Sequence, residues 1–154
     1  MIFAYNKRAH YDYLILDKIE AGLVLTGQEV KSVKSGHCQL NGSYAILKEI
    51  IKKNKQVGTE VSLINAKISP YKYASKLDQY DPGCSRKLLL KKQEINRLRG
   101  MMKNAHLTLV PLQIYNKNTI IKVELGVCKG KRNIDKREAT KKREIEIEIR
   151  RART

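Results

Sequence analysis

The stretch LTLVPLQIYNKNTIIKVELGVCKG, residues 107–130, decides the fold class. Its two halves are rich in Leu, Val and Ile and meet at the polar segment Asn116–Asn118. Aliphatic and β-branched runs on either side of an Asn-rich turn predict two antiparallel strands joined as a hairpin.

Strand signals dominate outward from that hairpin. YDYLILDKIEAGLVLTG (11–27), interrupted at Glu20-Ala21-Gly22 and closed by Gly27, predicts a long strand with a bend or bulge. SYAILKEIIKK (43–53) and TEVSLINAKI (59–68) flank Asn54–Gly58 and predict a second hairpin with a longish tip. Between these, GQEVKSVKSG (27–36) has Val30 and Val33 at helical spacing, enough for a short helix. Residues 70–85 hold Pro70, Pro82 and Gly83 and read as a loop. In RKLLLKKQEINRLRGMMKN (86–104), Leu88, Ile95, Leu98 and Met102 trace one apolar helix face, with Lys91, Lys92, Arg97 and Arg99 off it. Mostly antiparallel strands with short helices predict a mainly β body, an OB-type closed antiparallel barrel over residues 1–128. Closure removes the open edges that so many strands would otherwise expose.

Residues 129–154 form a basic C-terminal tail with no aromatic residue and no core of its own. The net charge of +17 is uneven. Residues 1–85 carry 12 basic and 8 acidic groups, residues 86–128 carry 9 and 2, and residues 129–154 carry 11 and 5. A polyanionic partner follows, since each Lys or Arg seated on a phosphate releases condensed counterions. Nucleic acid fits better than a membrane surface, and no apolar run reaches the ~18 residues of a membrane span. The N-terminus lacks a signal-peptide pattern, and three widely spaced cysteines without a CxxC fit free thiols of a reducing, cytoplasmic compartment.

Catalytic and metal readings fail on spacing. His10, His37 and His106 are scattered, Asp12 and Glu20 stand eight apart, and no GxSxG elbow or phosphate-binding glycine loop occurs. The chain is expected to be a binding protein, with no enzyme activity, cofactor, metal or small-molecule substrate. Tyrosines interleaved with basic residues, Tyr5, Tyr11, Tyr13, Tyr71 and Tyr73 among them, suit RNA, where a ring stacks on a splayed base. The alternative role for each is packing against the body with its hydroxyl at the rim.

A resemblance sharpens this. NKRAHYDY (6–13), EAGLVLTGQEVKSVKSG (20–36), LNGSYA (40–45), INAKISPY (64–71), RKLLLKKQEI (86–95), LTLVPLQIY (107–115), KVELGVCKGK (122–131) and DKRE (135–138) stand in the order of the SmpB family, the SsrA-binding proteins. The resemblance implies an OB-type body that binds the tRNA-like domain of tmRNA and delivers it to stalled ribosomes for trans-translation and tagging of incomplete proteins. A generic OB-fold RNA-binding protein of the ribosome or of RNA metabolism is the alternative.

Site residues carry over by position. Tyr13 matches the tyrosine of the family's DY motif, and Glu20 its acidic RNA-contact position. Lys31, in EVKS, joins the RNA-binding set. Lys129, Gly130, Lys131 and Arg132 match the basic turn that launches the tail. Asp135, Lys136 and Arg137 match the DKR that the family uses on the ribosome, with Lys141, Lys142 and Arg143 following toward the decoding centre and mRNA channel. The resemblance implies a tail disordered when free and helical on the small subunit, with Asp135 just before the helix as its cap. Departures from the family pattern are His10-Tyr11, a longer hairpin at 47–60, Cys84, and Ile134 before DKR. The terminal Ile-Glu alternation (144–149) has strand period rather than helix period.

Overall fold

The computed structural model describes residues 1–73, 79–103, 106–131 and 133–153, with the backbone alone at 133–136 and 139. In chain order the elements are β1 (Ile2–Tyr5), α1 (Lys7–Asp12), β2 (Tyr13–Leu23), α2 (Gly27–Lys34), β3 (Cys38–Gln39), β4 (Tyr44–Ile51) and β5 (Val57–Ile64). They continue with β6 (Lys67–Ile68), β7 (Arg86–Leu89), α3 (Lys92–Met102), β8 (Leu107–Lys117), β9 (Ile120–Gly130) and α4 (Asn133–Ala152).

The β8–β9 hairpin is the spine. Its register runs from Leu107↔Lys129 to Lys117↔Ile120, and the turn places Asn118 at φ 58°, a left-handed conformation that Asn tolerates well. Gly126 has a packing reason: a Cβ there would stand 3.0 Å from Cys128 Sγ and 3.2 Å from Leu112 Cδ1. A seven-stranded antiparallel sheet grows from the hairpin in the order β1-β8-β4-β5-β7-β2-β9, and β9 pairs back onto β8. β3 and β6 form a separate two-stranded sheet. Leu63, Leu109, Ile114, Val123 and Leu125 fill the main core, and Leu98 and Ile95 of α3 pack against it. The architecture is mainly β, as the sequence indicates.

Local chemistry explains the helices. Asn6 caps α1 by accepting from the Ala9 N–H at 3.2 Å, while its buried amide donates to Pro111 O at 2.9 Å and ties α1 to β8. Thr26 and Glu29 form a reciprocal capping box that starts α2. Glu29 also accepts from Arg86 Nε at 2.5 Å, an ion pair in which both side chains are buried. Arg86 spends its other donors on Ala66 O, Cys84 O, Pro82 O and the Tyr80 hydroxyl, knitting β7 to the chain on both sides of β6.

Three expectations are corrected. Arg86–Leu89 is a strand, not the start of a helix, so Leu88 enters the core from β7 and α3 begins only at Lys92. Pairing of β7 with β5 and β2 outweighs the local helical spacing. The irregularity in β2 lies between Ile15 and Asp17 rather than at Glu20–Gly22. Before the bulge Ile15 packs with Ala9, Leu112 and Cys128; beyond it Ile19 and Ala21 join the main core. Tyr11 and Asp12 belong to α1, not to the strand. β1, which carries no turn signal of its own, forms by pairing with β8.

Beyond Gly130, α4 runs as a 20-residue helix with Lys141, Lys142 and Arg143 exposed. The backbone of Asp135 therefore lies within its first turn rather than before it. No helix among the described residues is long and apolar enough to cross a membrane.

Candidate nucleic-acid interface

Strand register builds the interface around Glu20. On β2, Glu20 pairs with Glu124 of β9, and Gly22 pairs with Lys122, which in turn pairs with Tyr115 of β8. Alternation then brings Glu20, Lys122 and Tyr115 to one outer face of three adjacent strands. Glu20 Oε1 accepts from Lys122 Nζ at 2.9 Å and from Lys117 Nζ at 3.4 Å, while Oε2 accepts from the Tyr115 hydroxyl. These partners, the Tyr115 hydrogen bond first and then Lys122, pull the Glu20 carboxyl down to about 2 against a small opposing effect of burial. Burial and the hydrogen bond to Glu20 push the Tyr115 phenol well above its ordinary value.

A second row runs beside the first. Glu124 lies 3.6 Å from Lys18 Nζ and accepts from Gln113 Nε2 at 3.0 Å. An open cleft of about 460 Å³ adjoins this face, lined by Glu20, Gly22, Leu89, Lys91, Lys117 and Lys122 among others. Glu20 is thus an aligner of cations. It holds two ammonium groups and a phenol in fixed places, and those groups can meet phosphate and sugar oxygens.

The other sequence-derived residues spread over the molecule. Tyr13 stands at the opposite end of β2, paired with Gly130 and packed against the Ala9, Val110, Leu112 and Cys128 cluster. At about 3.3 Å per residue it lies roughly 20 Å from Glu20, in a separate cleft with His106, Thr108, Lys129 and Gly130. Lys31 projects from α2 and stands 5.4 Å from the Tyr71 ring centre. Lys129 and Gly130 close β9, exposed. Lys131 fastens the root of the tail: its N–H donates to Asp12 O and its Nζ to His10 O, both at 3.0 Å. Further along, the Thr140 hydroxyl donates to the Tyr11 hydroxyl at 3.4 Å. Arg132 lies outside the described residues, as do the side chains of Asp135 and Lys136; Arg137 is exposed.

Tyr115, Lys117 and Lys122 are functional candidates that sequence reasoning missed. Their only signal is the hairpin register, because Tyr115 lies 95 positions from Glu20. Another hollow, of about 550 Å³, lies elsewhere, between β4 and the end of α3. It is open and lined by Ile46, Leu47, Met102 and Leu107 together with Glu49, Arg99 and Lys103. Among the described residues no group of His, Cys, Asp or Glu could hold a metal ion.

Comparison with known proteins completes the picture. The family model for the SmpB protein matches residues 3–154. An SsrA-binding protein of Geobacillus kaustophilus is 47% identical over 151 residues, covering 98% of this chain and 91% of that protein. One from Caldicellulosiruptor saccharolyticus is 48% identical over 149 residues, covering 97% and 88%. A solved structure described as "tmRNA-SmpB: a journey to the center of the bacterial ribosome" is similar with a TM-score of 0.65 at 42% identity, covering 88% of this chain and 92% of that one. A match of this length and identity, on a fold of the same kind, means that the chain belongs to the SmpB family of SsrA-binding proteins.

Proposed function

We propose that the chain binds tmRNA at its tRNA-like domain and brings it to the small subunit of stalled ribosomes, for rescue and tagging of incomplete proteins. The observation that carries this reading is the row of Lys117, Lys122 and Tyr115 held by Glu20 on the β2–β9–β8 face. Preplaced ammonium groups lose little freedom on meeting a phosphate backbone, so they favour one folded RNA shape over a flexible polyanion. The role is that of a binding factor in the cytosol, with no reaction of its own.

Two structural readings go with it. The return of β9 onto β8 supports an OB-type closed barrel as the RNA-binding body. The exposed, basic α4 supports the tail as the arm that enters the decoding centre and mRNA channel, carrying Asp135, Lys136, Arg137, Lys141, Lys142 and Arg143. If the tail is disordered when free, its ordering cost falls on the ribosome-bound step.

The test is capture of the tagged protein from its own cells, followed by identification of the bound RNA. One abundant RNA with a tRNA-like acceptor end is expected. A broad mixture of RNAs without it would overturn the reading in favour of a generic RNA-binding role.

A further inference from the structure

Away from the Glu20 face, the chain after β6 carries a pair of tyrosines, Tyr71 half-buried and Tyr73 open to solvent. Tyr73 is 76% exposed, the most open aromatic side chain among the described residues. Its ring centre lies 5.6 Å from that of Tyr71, edge-on at 69°. Lys72 Nζ stands 5.6 Å from the Tyr73 centroid, and Lys31 Nζ stands 5.4 Å from that of Tyr71.

The backbone leading into this pair is pinned. The Ser32 hydroxyl donates to Ser69 O at 2.6 Å, the Ser69 N–H donates to His37 O at 3.0 Å, and the Tyr80 hydroxyl donates to Ile68 O at 2.8 Å. Beneath them sits the buried Arg86–Glu29 pair. That pair has a second consequence at the surface. Glu29 is the only acidic residue of α2, and turning it inward leaves Lys31 and Lys34 as the exposed charges of the helix. Residues 67–73 contain no acidic residue either.

An exposed aromatic ring with a lysine beside it, and a second lysine beside the tyrosine that braces it, is complementary to a polyanion that also offers flat, exposed faces. Unpaired RNA has both features, whereas a duplex presents phosphates but hides the faces of its bases. An acidic peptide would satisfy the lysines yet leave the open Tyr73 ring without a partner. Because the two tyrosines stand edge to face, they cannot carry two consecutive stacked bases. Tyr71 braces, and Tyr73 receives.

We infer that Tyr73 is a stacking platform for one unpaired RNA base, with Lys72 beside its ring and Lys31 beside that of Tyr71 placed for the flanking phosphates. The site rests on the reading of the chain as an RNA-binding protein, and it shares no residue with the Glu20 face. Two RNAs can supply the base, an unpaired segment of tmRNA or one of the ribosome, and the assay separates them.

The chain contains no Trp, so Tyr73→Trp in the full-length protein creates a single indole reporter. The probes are a single-stranded oligoadenylate of about 12 nucleotides, near the site size of such surfaces, and an RNA duplex of equal phosphate count. Oligoadenylate is expected to quench the emission saturably, while the duplex binds without quenching. Tyr73→Ala should weaken oligoadenylate binding about tenfold, the loss of one stacked base, and Tyr73→Phe should restore it to within about twofold. Tyr73 is exposed, so thermal unfolding of these variants should match the parent. Unchanged emission at saturating oligoadenylate, or an Ala variant that binds as tightly as the parent, overturns the site. Tyr73→Ala is then measured against the tRNA-like fragment of tmRNA and against small ribosomal subunits. Weakened binding to one of them names the source of the base, and weakened binding to neither overturns the platform. Failure of the tmRNA assignment would show differently, as capture without tmRNA while oligoadenylate still quenches the indole of the Tyr73→Trp variant.

Discussion

Tyr115 donates its hydroxyl hydrogen to Glu20 across the intervening strand β9, joining residues 95 positions apart. Lys122 and Lys117 converge on the same carboxylate. The acidic Glu20 of a +17 protein is therefore a device for placing positive charge.

Glu20→Lys should weaken tmRNA binding although it adds a positive charge. The new ammonium would face Lys117 and Lys122 and leave the Tyr115 hydroxyl without its acceptor. Repulsion between charges ~4 Å apart costs about 1 kcal/mol even in water, so at least about a fivefold rise in Kd is expected in filter binding. A tighter complex would mean that net charge alone governs affinity.

Acid should selectively loosen this arrangement. The Glu20 carboxyl titrates at about 2 in the folded chain against an ordinary 4.5. Its contribution to stability is therefore complete above about 4.5 and lost as pH falls from there toward 2. Glu29 adds with the same sign. Burial pushes its carboxyl up, but hydrogen bonds from the Thr26 N–H and Arg86 outweigh this and hold it below the ordinary value. For Glu20, which is partly exposed, screening keeps the effect to about 1 kcal/mol or less. Glu20→Gln should melt less differently from pH 5 to pH 3 than the parent does, as read by circular dichroism.

The Arg86–Glu29 pair is the point where a single change does most damage. Arg86→Met strands a buried Glu29 and three carbonyl oxygens, at a cost of about 3–5 kcal/mol. For a chain of this size the melting temperature should fall by about 10 °C. Adding Glu29→Gln to Arg86→Met should recover part of the loss. A double variant no more stable than the single one would show that the carbonyl contacts, not the ion pair, dominate.

Removal of α4 should barely touch stability. The Tyr13↔Gly130 pair and the Lys131 bonds to α1 lie before it, and the described side chains of α4 are exposed. Truncation after Lys131 should shift the melting temperature by about 2 °C or less while abolishing tagging on stalled ribosomes. A much larger drop would reveal a tail docked on the body.

Replacing Asp135, Lys136 and Arg137 together by Ala should spare tmRNA binding and stop tagging. Two lost cations and a lost carboxylate in the first turn of α4 weaken both the ribosomal contact and the helix start. Low salt should restore part of the tagging. Parallel loss of tmRNA binding would place these residues on the wrong RNA.

Much of this protein is readable in its sequence because the deciding interactions are local. Hairpin turns at Asn118 and near Lys55, the Val30–Val33 spacing of α2 and the coreless basic tail each depend on residues within a few positions of one another. Family motifs likewise survive as short words, so membership could be stated before any coordinates.

Tertiary structure alone decided what depends on register and on competing pairings. Leu88 sits in a helical pattern that continues to Met102, yet its backbone N–H and C=O groups are better satisfied between β5 and β2 than in a first helical turn. The bulge after Ile15 was likewise invisible, since it answers to how β2 packs on two different clusters. Which groups hold Glu20 was also undecidable from the chain. Side chains alternate across a strand with period two, so a one-residue slip between β2, β9 and β8 would turn Lys122 and Tyr115 to the opposite face. The packed core rejects that slip, and only the folded sheet could show which pairing it accepts.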